Sequence, residues 1–538
     1  MTDTTFVSQV TGIATTWAQD VNDAVYRAIG TGGGGSAPAT PADVLTNLGL
    51  SPPTGSALIG YTNGATGSVP RTVASKLQES VSVLDFGADP TGVADSTAAI
   101  QAAVSKPNTN VYAPPGTYKV SGTITFASAT SLYGAGRLAT LFNVTSTNLP
   151  IFQVGTFSTI SSLQITAPVS TQVSGSIFVT LSGSNPRLND FVITNDYVGV
   201  LMIGSVAKIV DGRMVGLQAG GIHIRAEGGD NSQIIDGVLG GAEASPNIGT
   251  AGIRVRNSSA LTITNTSMLQ EGAGLLVDPY TATQGAATDA GSVFSLNVSN
   301  SFFDNSAPNG IRIQPTGDAS VVRARFDQVW TGSASADGIQ IINEGTGTLS
   351  GIYFSNHHSV LNGGSGVSTA GIVSDIKFIG GGLNQNTYGF YGAGGLTKLT
   401  VMGTTIGTGN GLLGNSQYGI SLESGVSDFT ITGNTIEGNT VGQVYDGTST
   451  VVKTIANNTG YNPIAVSDIS ASVGASPATY TNATGAPVLL YVEGGTVSSV
   501  TVDNLTVATA TNIQTTVGAG SSAVLTYSVK PTVYQKGL

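Results

Sequence analysis

The chain of 538 residues contains no cysteine. Disulfides and thiolate chemistry are excluded, and a zinc site would need histidine and carboxylates alone. Histidine is itself scarce, with three in the chain. Charge is scarce too: Asp, Glu, Lys and Arg make up 9% of residues, and the net charge is -11. Too few cations argues against general affinity for DNA or RNA, which is driven by Lys and Arg neutralising phosphate. No apolar run is long enough to cross a bilayer. The opening residues, MTDTTFVSQV, lack the basic and apolar regions of a secretory signal. These absences predict no nucleic-acid partner, no membrane insertion, no metal and no cofactor.

What is abundant is glycine, 74 residues, set among Thr, Ser, Val, Ile and Asn. There is no collagen period, so this is turn glycine between strands. The chain is too long for one ordinary compact core, which calls for several domains or an elongated repeat. An imperfect repeat runs from about 190 to 445. Gly199, Gly221, Gly252, Gly274, Gly310, Gly338 and Gly419 each precede apolar residues at +1 and +3, as in Ile253/Val255 and Ile311/Ile313. Polar residues such as His223, Arg225, Arg254, Arg256 and Arg312 fall at +2 and +4. Period-two alternation puts the apolar set inward and the polar set outward. The ragged spacing suits the coils of a solenoid whose rungs stack about 4.8 Å apart. An Asn-x-x-Gly turn recurs at Asn386…Gly389 and Asn439…Gly442.

Four segments follow. Residues 1–30 read as a helix: a capping box at Thr16 and Gln19, then Trp17, Val21, Val25 and Ile29 on one stripe, then a stop at Gly30. A lone helix of this length is marginal in water, so the stripe needs a partner. Residues 31–80 read as a linker and neck, with GGGGS at 32–36 and a second helix start at Thr40-Pro41. Residues 81–458 read as the solenoid. It opens with a strand (Val81, Val83, Leu84, Phe86), a turn-rich loop over 88–94, a short helix capped by Asp95 or Ser96, and a hard turn at Pro114-Pro115-Gly116. Residues 459–538 carry short alternating strands, Val488–Val492, Val497–Val502 and Ala523–Val529, that read as a β-sandwich. Such a module covers the open end of a solenoid, which is otherwise a sticky edge.

VSVLDFGADPTGVADSTAAIQAAV at 81–104, followed by VYAPPGTYKVSGTITF, resembles the opening of pectate-lyase-like right-handed β-helices in the form common in bacteriophage tailspikes. TTFVSQVTGIATTWAQDVNDAVYRAIG resembles the virion-anchoring N-terminus of short-tailed phage tailspikes, and 55–88 resembles the neck before their β-helices. The resemblance does not reach the middle of the repeat. It implies an all-β chain: a right-handed parallel β-helix with a short helical anchor and a C-terminal β-sandwich, assembled as a homotrimer. It also implies attachment to phage tail adaptor or connector proteins through residues 1–30. The protein would be made in the host cytoplasm, carried on the virion tail, and would bind and depolymerise a host surface polysaccharide (capsule, lipopolysaccharide O-antigen or exopolysaccharide), as a glycoside hydrolase rather than a lyase.

The chemistry is sought on the outward face. Arg225, Arg254, Arg256 and Arg312 form a ladder if the rungs are in register, and a guanidinium suits carboxylates and sugar hydroxyls. Glycoside hydrolysis needs two carboxylates at a set separation. Glu271 and Asp278 are the expected pair, with Asp304 as alternate partner. A lyase would instead abstract a proton next to a uronate carboxylate, and His223 beside Arg225 and Arg254 is the candidate base. The rival readings are a non-catalytic spike and a free polysaccharide lyase. His357-His358 lacks metal-ligand spacing and reads as a solvated loop.

Overall fold

The computed structural model describes residues 55–169, 171–240, 250–269, 272–280, 291–409, 411–461 and 466–537. The expected anchor helix with Trp17, Val21, Val25 and Ile29, the 32–36 linker and Glu271 lie outside the described residues. The chain divides into two units, Met1–Val81 and Ser82–Leu538. In the first, Gly60–Tyr61 pairs antiparallel with Arg71–Thr72. Thr72 caps the helix Val73–Leu77 by accepting a hydrogen bond from the Ser75 amide.

The second unit opens differently from the reading of its sequence. Val83–Phe86 is a 3-10 helix, not a strand. Ser82 and Asp85 close a capping box around it, and local capping outweighs the β-propensity of the apolar residues. The loop expected over 88–94 is in part a strand, Thr91–Asp95, paired in parallel with Gly116–Val120, and Asp89 organises its start. Its carboxylate accepts from the amides of Thr91, Val93 and Ala94, and with the Thr91 hydroxyl these hold its pKa down to about 2. The helix Thr97–Val104 then buries Ile100, Ala103 and Val104.

From there the chain coils. One wall is a 13-stranded parallel sheet running from Ile124–Thr125 to Gly442–Asp446. The remaining strands of the coil pair in parallel as well, for example Thr159–Thr166 with Arg187–Thr194, and that with Lys208–Val215. Parallel strands need a crossover, and here each crossover is the rest of the rung. This is a parallel β-helix, consistent with the right-handed coil expected from the sequence. Rungs begin near residue 110, well before the repeat visible in the sequence.

The corner between two walls repeats a single backbone conformation. Ser162, Asp190, Asp211, Asp236, Asn265 and Asn300 have φ between 48° and 57°. The register aligns them one above another, and the column continues through Asn356 to Gly380, Gly403 and Gly433. Asp, Asn and Gly tolerate the left-handed region best, so composition at this offset sets the bend.

Inside, like stacks on like. Phe326, Phe354 and Phe378 are buried in register, with ring centroids 4.7 and 4.4 Å apart. At another corner Asn362, Asn386, Asn415 and Asn439 form a ladder. The amide oxygens of Asn386, Asn415 and Asn439 each accept the backbone N–H of the asparagine one rung before, at 3.0–3.2 Å, and that of Asn362 accepts the Ala334 N–H at 3.0 Å. The Asn-x-x-Gly turns of the sequence are two steps of this ladder. The coil ends at Lys453–Ala456. Beyond it, two four-stranded antiparallel sheets share one buried cluster that includes Val488, Leu490, Val500, Leu525 and Val533.

Candidate functional site

The outward face of the 13-stranded wall carries the arginines. Backbone register aligns Arg225, Arg254, Leu276 and Arg312 in one column. The ladder is therefore interrupted, because Leu276 takes the rung between Arg254 and Arg312. A second column, one strand end further on, holds Glu227, Arg256, Asp278 and Gln314; each backbone N–H bonds the strand end of the neighbouring rung.

Ion pairs organise both columns. Arg225 grips the buried Glu227 through Nε and Nη2, at 2.6 and 2.5 Å. The Arg254 Nε lies 2.8 and 2.9 Å from the two oxygens of Asp278, and its Nη2 bonds the same carboxylate. Arg256 donates to Asp278 from Nε and Nη2, at 3.2 and 3.1 Å. The Arg256 guanidinium also sits 4.4 Å from the ring centroid of Tyr280. Such pairing fixes the planes and positions of the guanidiniums.

Arg312 is different. Its Nε is buried and has no hydrogen-bond partner among the described residues. A buried donor without an acceptor costs about 1–3 kcal/mol. The residue lines a cavity of about 580 Å³ with Thr250, Arg254, Arg256, Leu276, Asp278, Tyr280, Gln314 and Thr316. The cavity thus offers guanidinium donors, an aromatic face and hydroxyls, which suits a ligand with carboxylate and hydroxyl oxygens.

The structure brings Arg254, Arg256, Arg312 and Asp278 together around this cavity. It does not bring in Asp304 or His223. Asp304 ends the strand Phe302–Asp304 on another wall and is in register with Leu269 and Gly332. His223 was expected outward and is instead wholly buried, its Nδ1 3.0 and 3.1 Å from the carboxylate oxygens of Asp196. The reason is register. His223, not Gly221, aligns with Gly199 and Gly252, in a column whose side chains point into the coil. A Cβ on Gly252 would lie 2.4 Å from the sulfur of the buried Met268. Reading every glycine as the same repeat position slipped this rung by two residues.

His357-His358 also departs from expectation. His357 is buried against Phe354 and Phe378, and burial pushes its pKa down to about 3. His358 stacks on Trp330 in the wall. Tyr280, on the cavity wall, is a residue that nothing in the sequence tied to Arg256.

Residues 80–162 match the family model described as rhamnogalacturonase A/epimerase, pectate lyase-like. A search of curated protein sequences gives no match. Among solved structures, tailspike protein 3 of bacteriophage CBA120 is similar at 16% identity and a TM-score of 0.58, over 82% of this chain and 73% of that one. A tailspike of E. coli bacteriophage HK620, solved with a pentasaccharide, is 14% identical with a TM-score of 0.55, over 91% and 98%. The A-module of the Azotobacter vinelandii mannuronan C-5 epimerase AlgE6 is 15% identical with a TM-score of 0.52, over 71% and 100%. Likeness at these identities is a likeness of fold. The chain is a parallel β-helix whose residues 80–162 match a pectate-lyase-like family model and whose neighbours in fold include phage tailspikes and an epimerase A-module.

Proposed function

We propose that this chain is a phage tailspike that binds a bacterial surface polysaccharide in the arginine-lined cavity of its β-helix. The observation that carries this reading is the set of Arg254, Arg256 and Arg312 around one cavity, with the buried Nε of Arg312 left for a ligand oxygen. The likeness of fold to a tailspike solved with a pentasaccharide supports it. Residues 1–30 would join the virion tail, and three copies would assemble side by side, burying outward apolar residues.

Binding is what the described residues are equipped for. Hydrolysis needs one carboxyl that carries a proton and one that does not. Asp278 is the one carboxylate lining the cavity among the described residues, and guanidinium donors face it from two sides. It serves best as the counter-charge that aims the arginines. Cleavage is the second reading. It is favoured by the place of Glu271, two residues ahead of the strand Ala273–Val277 that leads into Asp278.

The test is binding of the purified protein to an array of bacterial capsular and O-antigen polysaccharides, with released oligosaccharide ends measured alongside. Binding that Arg312→Ala abolishes is expected. Absence of binding to every polysaccharide overturns the reading. Product release that Glu271→Gln and Asp278→Asn both abolish would make the protein a hydrolase, and an unsaturated uronate among the products would make it a lyase.

A further inference from the structure

The arginine column does not end at Arg312. In register it continues through Gln340 and Ser368 to Tyr391. Those residues line a second cavity, of about 380 Å³, with Asp337, Ser365 and Tyr388. Its chemistry is the reverse of the first. Among the described residues no cation lines it, and its charged group is the Asp337 carboxylate. That carboxylate accepts the Ser365 amide at 2.6 Å, the Ser368 hydroxyl at 2.7 Å and the Gln340 side-chain amide at 3.3 Å. Tyr388 and Tyr391 stand 5.1 Å apart between ring centroids, tilted by 48°, as a two-ring surface beside it.

An anion is repelled here and a ring of hydroxyls is not. Carboxylate, serine and glutamine are acceptors and donors for sugar hydroxyls. Tyrosine gives an apolar face with a polar tip, which matches the two sides of a pyranose. Three rungs separate Arg312 from Tyr391, about 14 Å at ~4.8 Å per rung. Residues of one column in register, on the same wall, line both cavities.

We propose that Tyr388, Tyr391 and Asp337 form a subsite for an uncharged sugar, so that the ligand is a heteropolysaccharide carrying an anionic and a neutral sugar in each repeat. This rests on the polysaccharide-binding reading above. An anionic sugar occupies the Arg312 end and a neutral one the tyrosine end, which also gives the bound chain a direction.

The same array of capsular and O-antigen polysaccharides of known repeat unit tests it. Wild-type protein is expected to bind polymers that contain both sugar types and to leave neutral polymers and all-uronate polymers unbound. Tyr391→Ala is expected to weaken that binding about tenfold, the scale of one lost aromatic contact. Tyr391→Phe keeps the ring and should stay within about twofold of wild type. Binding confined to uniformly charged polymers, or binding that Arg312→Ala abolishes and Tyr391→Ala and Tyr388→Ala leave unchanged, overturns the second subsite while the first reading stands. Absence of any binding by wild-type protein overturns both. The composition of the wild-type ligands and the Tyr391→Phe result decide the matter even if the alanine variants fail to fold.

Discussion

Arg254 and Asp278 sit on neighbouring rungs and meet face to face, the guanidinium Nε 2.8 and 2.9 Å from the two carboxylate oxygens. They are 24 residues apart in the chain, and the coil brings them together. Arg256 reaches the same carboxylate. Arg312 shares the cavity, and its Nε has no partner among the described residues. The contrast between paired and unpaired arginines separates stability from binding.

Replacing Arg312 by Met removes a buried donor that has no acceptor and keeps the apolar stem. Thermal stability is expected to stay the same or rise slightly, while polysaccharide binding is lost. Asp278→Asn has the opposite profile. It removes the charge that holds Arg254 and Arg256, and is expected to cost about 1–3 kcal/mol for these partly buried groups. Denaturation curves beside binding isotherms check both. A large loss of stability in Arg312→Met would show that its Nε is not idle in the free protein.

The asparagine ladder predicts a local defect. Asn415 accepts the Asn386 amide at 3.0 Å and donates to the Leu383 carbonyl and the Asn439 side chain, at 3.0 and 2.8 Å. Asn415→Ala leaves the Asn386 N–H and the Leu383 carbonyl, both on the rung before it, without their partner, each worth about 1–3 kcal/mol. Amide hydrogen exchange should speed up at Asn386 and its neighbours while rungs before residue 200 keep their protection. Uniform loss of protection along the coil would sink the idea that the ladder acts rung by rung.

The phenylalanine stack is the denser part of the core. Phe378 lies against Phe354 at 4.4 Å and meets Phe390 edge-on at 6.0 Å. Phe378→Ala opens a cavity that rigid sheets above and below cannot close, and is expected to cost about 3–5 kcal/mol. Phe378→Leu should recover a large part of it. Calorimetry on the two variants gives the comparison.

His357 predicts a pH dependence. Its pKa in the folded chain is depressed to about 3 by burial, against an ordinary value of 6.5. Below 6.5 the unfolded chain takes up a proton that the folded chain refuses, so the unfolded state binds more protons and stability falls with falling pH. The contribution is complete above about pH 6.5 and is lost progressively down to about pH 3. A His357→Leu variant should show a shallower slope of stability over that window, by up to one proton. An unchanged slope would mean that the ring is protonated in the folded coil.

A good part of the fold was legible in the sequence. Strand alternation after Gly252, Gly274, Gly310 and Gly338 named the inward residues, and the C-terminal strands fell where the structure has them. Short-range signals sufficed there, because period-two burial and turn glycine act within a few residues. The same signals misled where two local preferences compete. Val83–Phe86 alternates like a strand, yet its capping box makes it a 3-10 helix. The left-handed corner was present as Asp190, Asp211, Asp236, Asn265 and Asn300, and its irregular spacing hid it.

A charge-poor, glycine-rich stack of strands with arginines at outward positions follows from the residues in chain order alone. Alternation and turn propensity are local, and they are written into neighbouring residues. Which residues of successive rungs lie side by side is set by the folded coil. Register between strands more than 20 residues apart depends on how many residues each turn absorbs, and no local preference encodes that sum. One slip of two residues carried His223 from the outer face to the core, beside Asp196. The same register put Leu276 between Arg254 and Arg312, turned Asp278 into the shared partner of Arg254 and Arg256, and left the Arg312 Nε with no partner among the described residues.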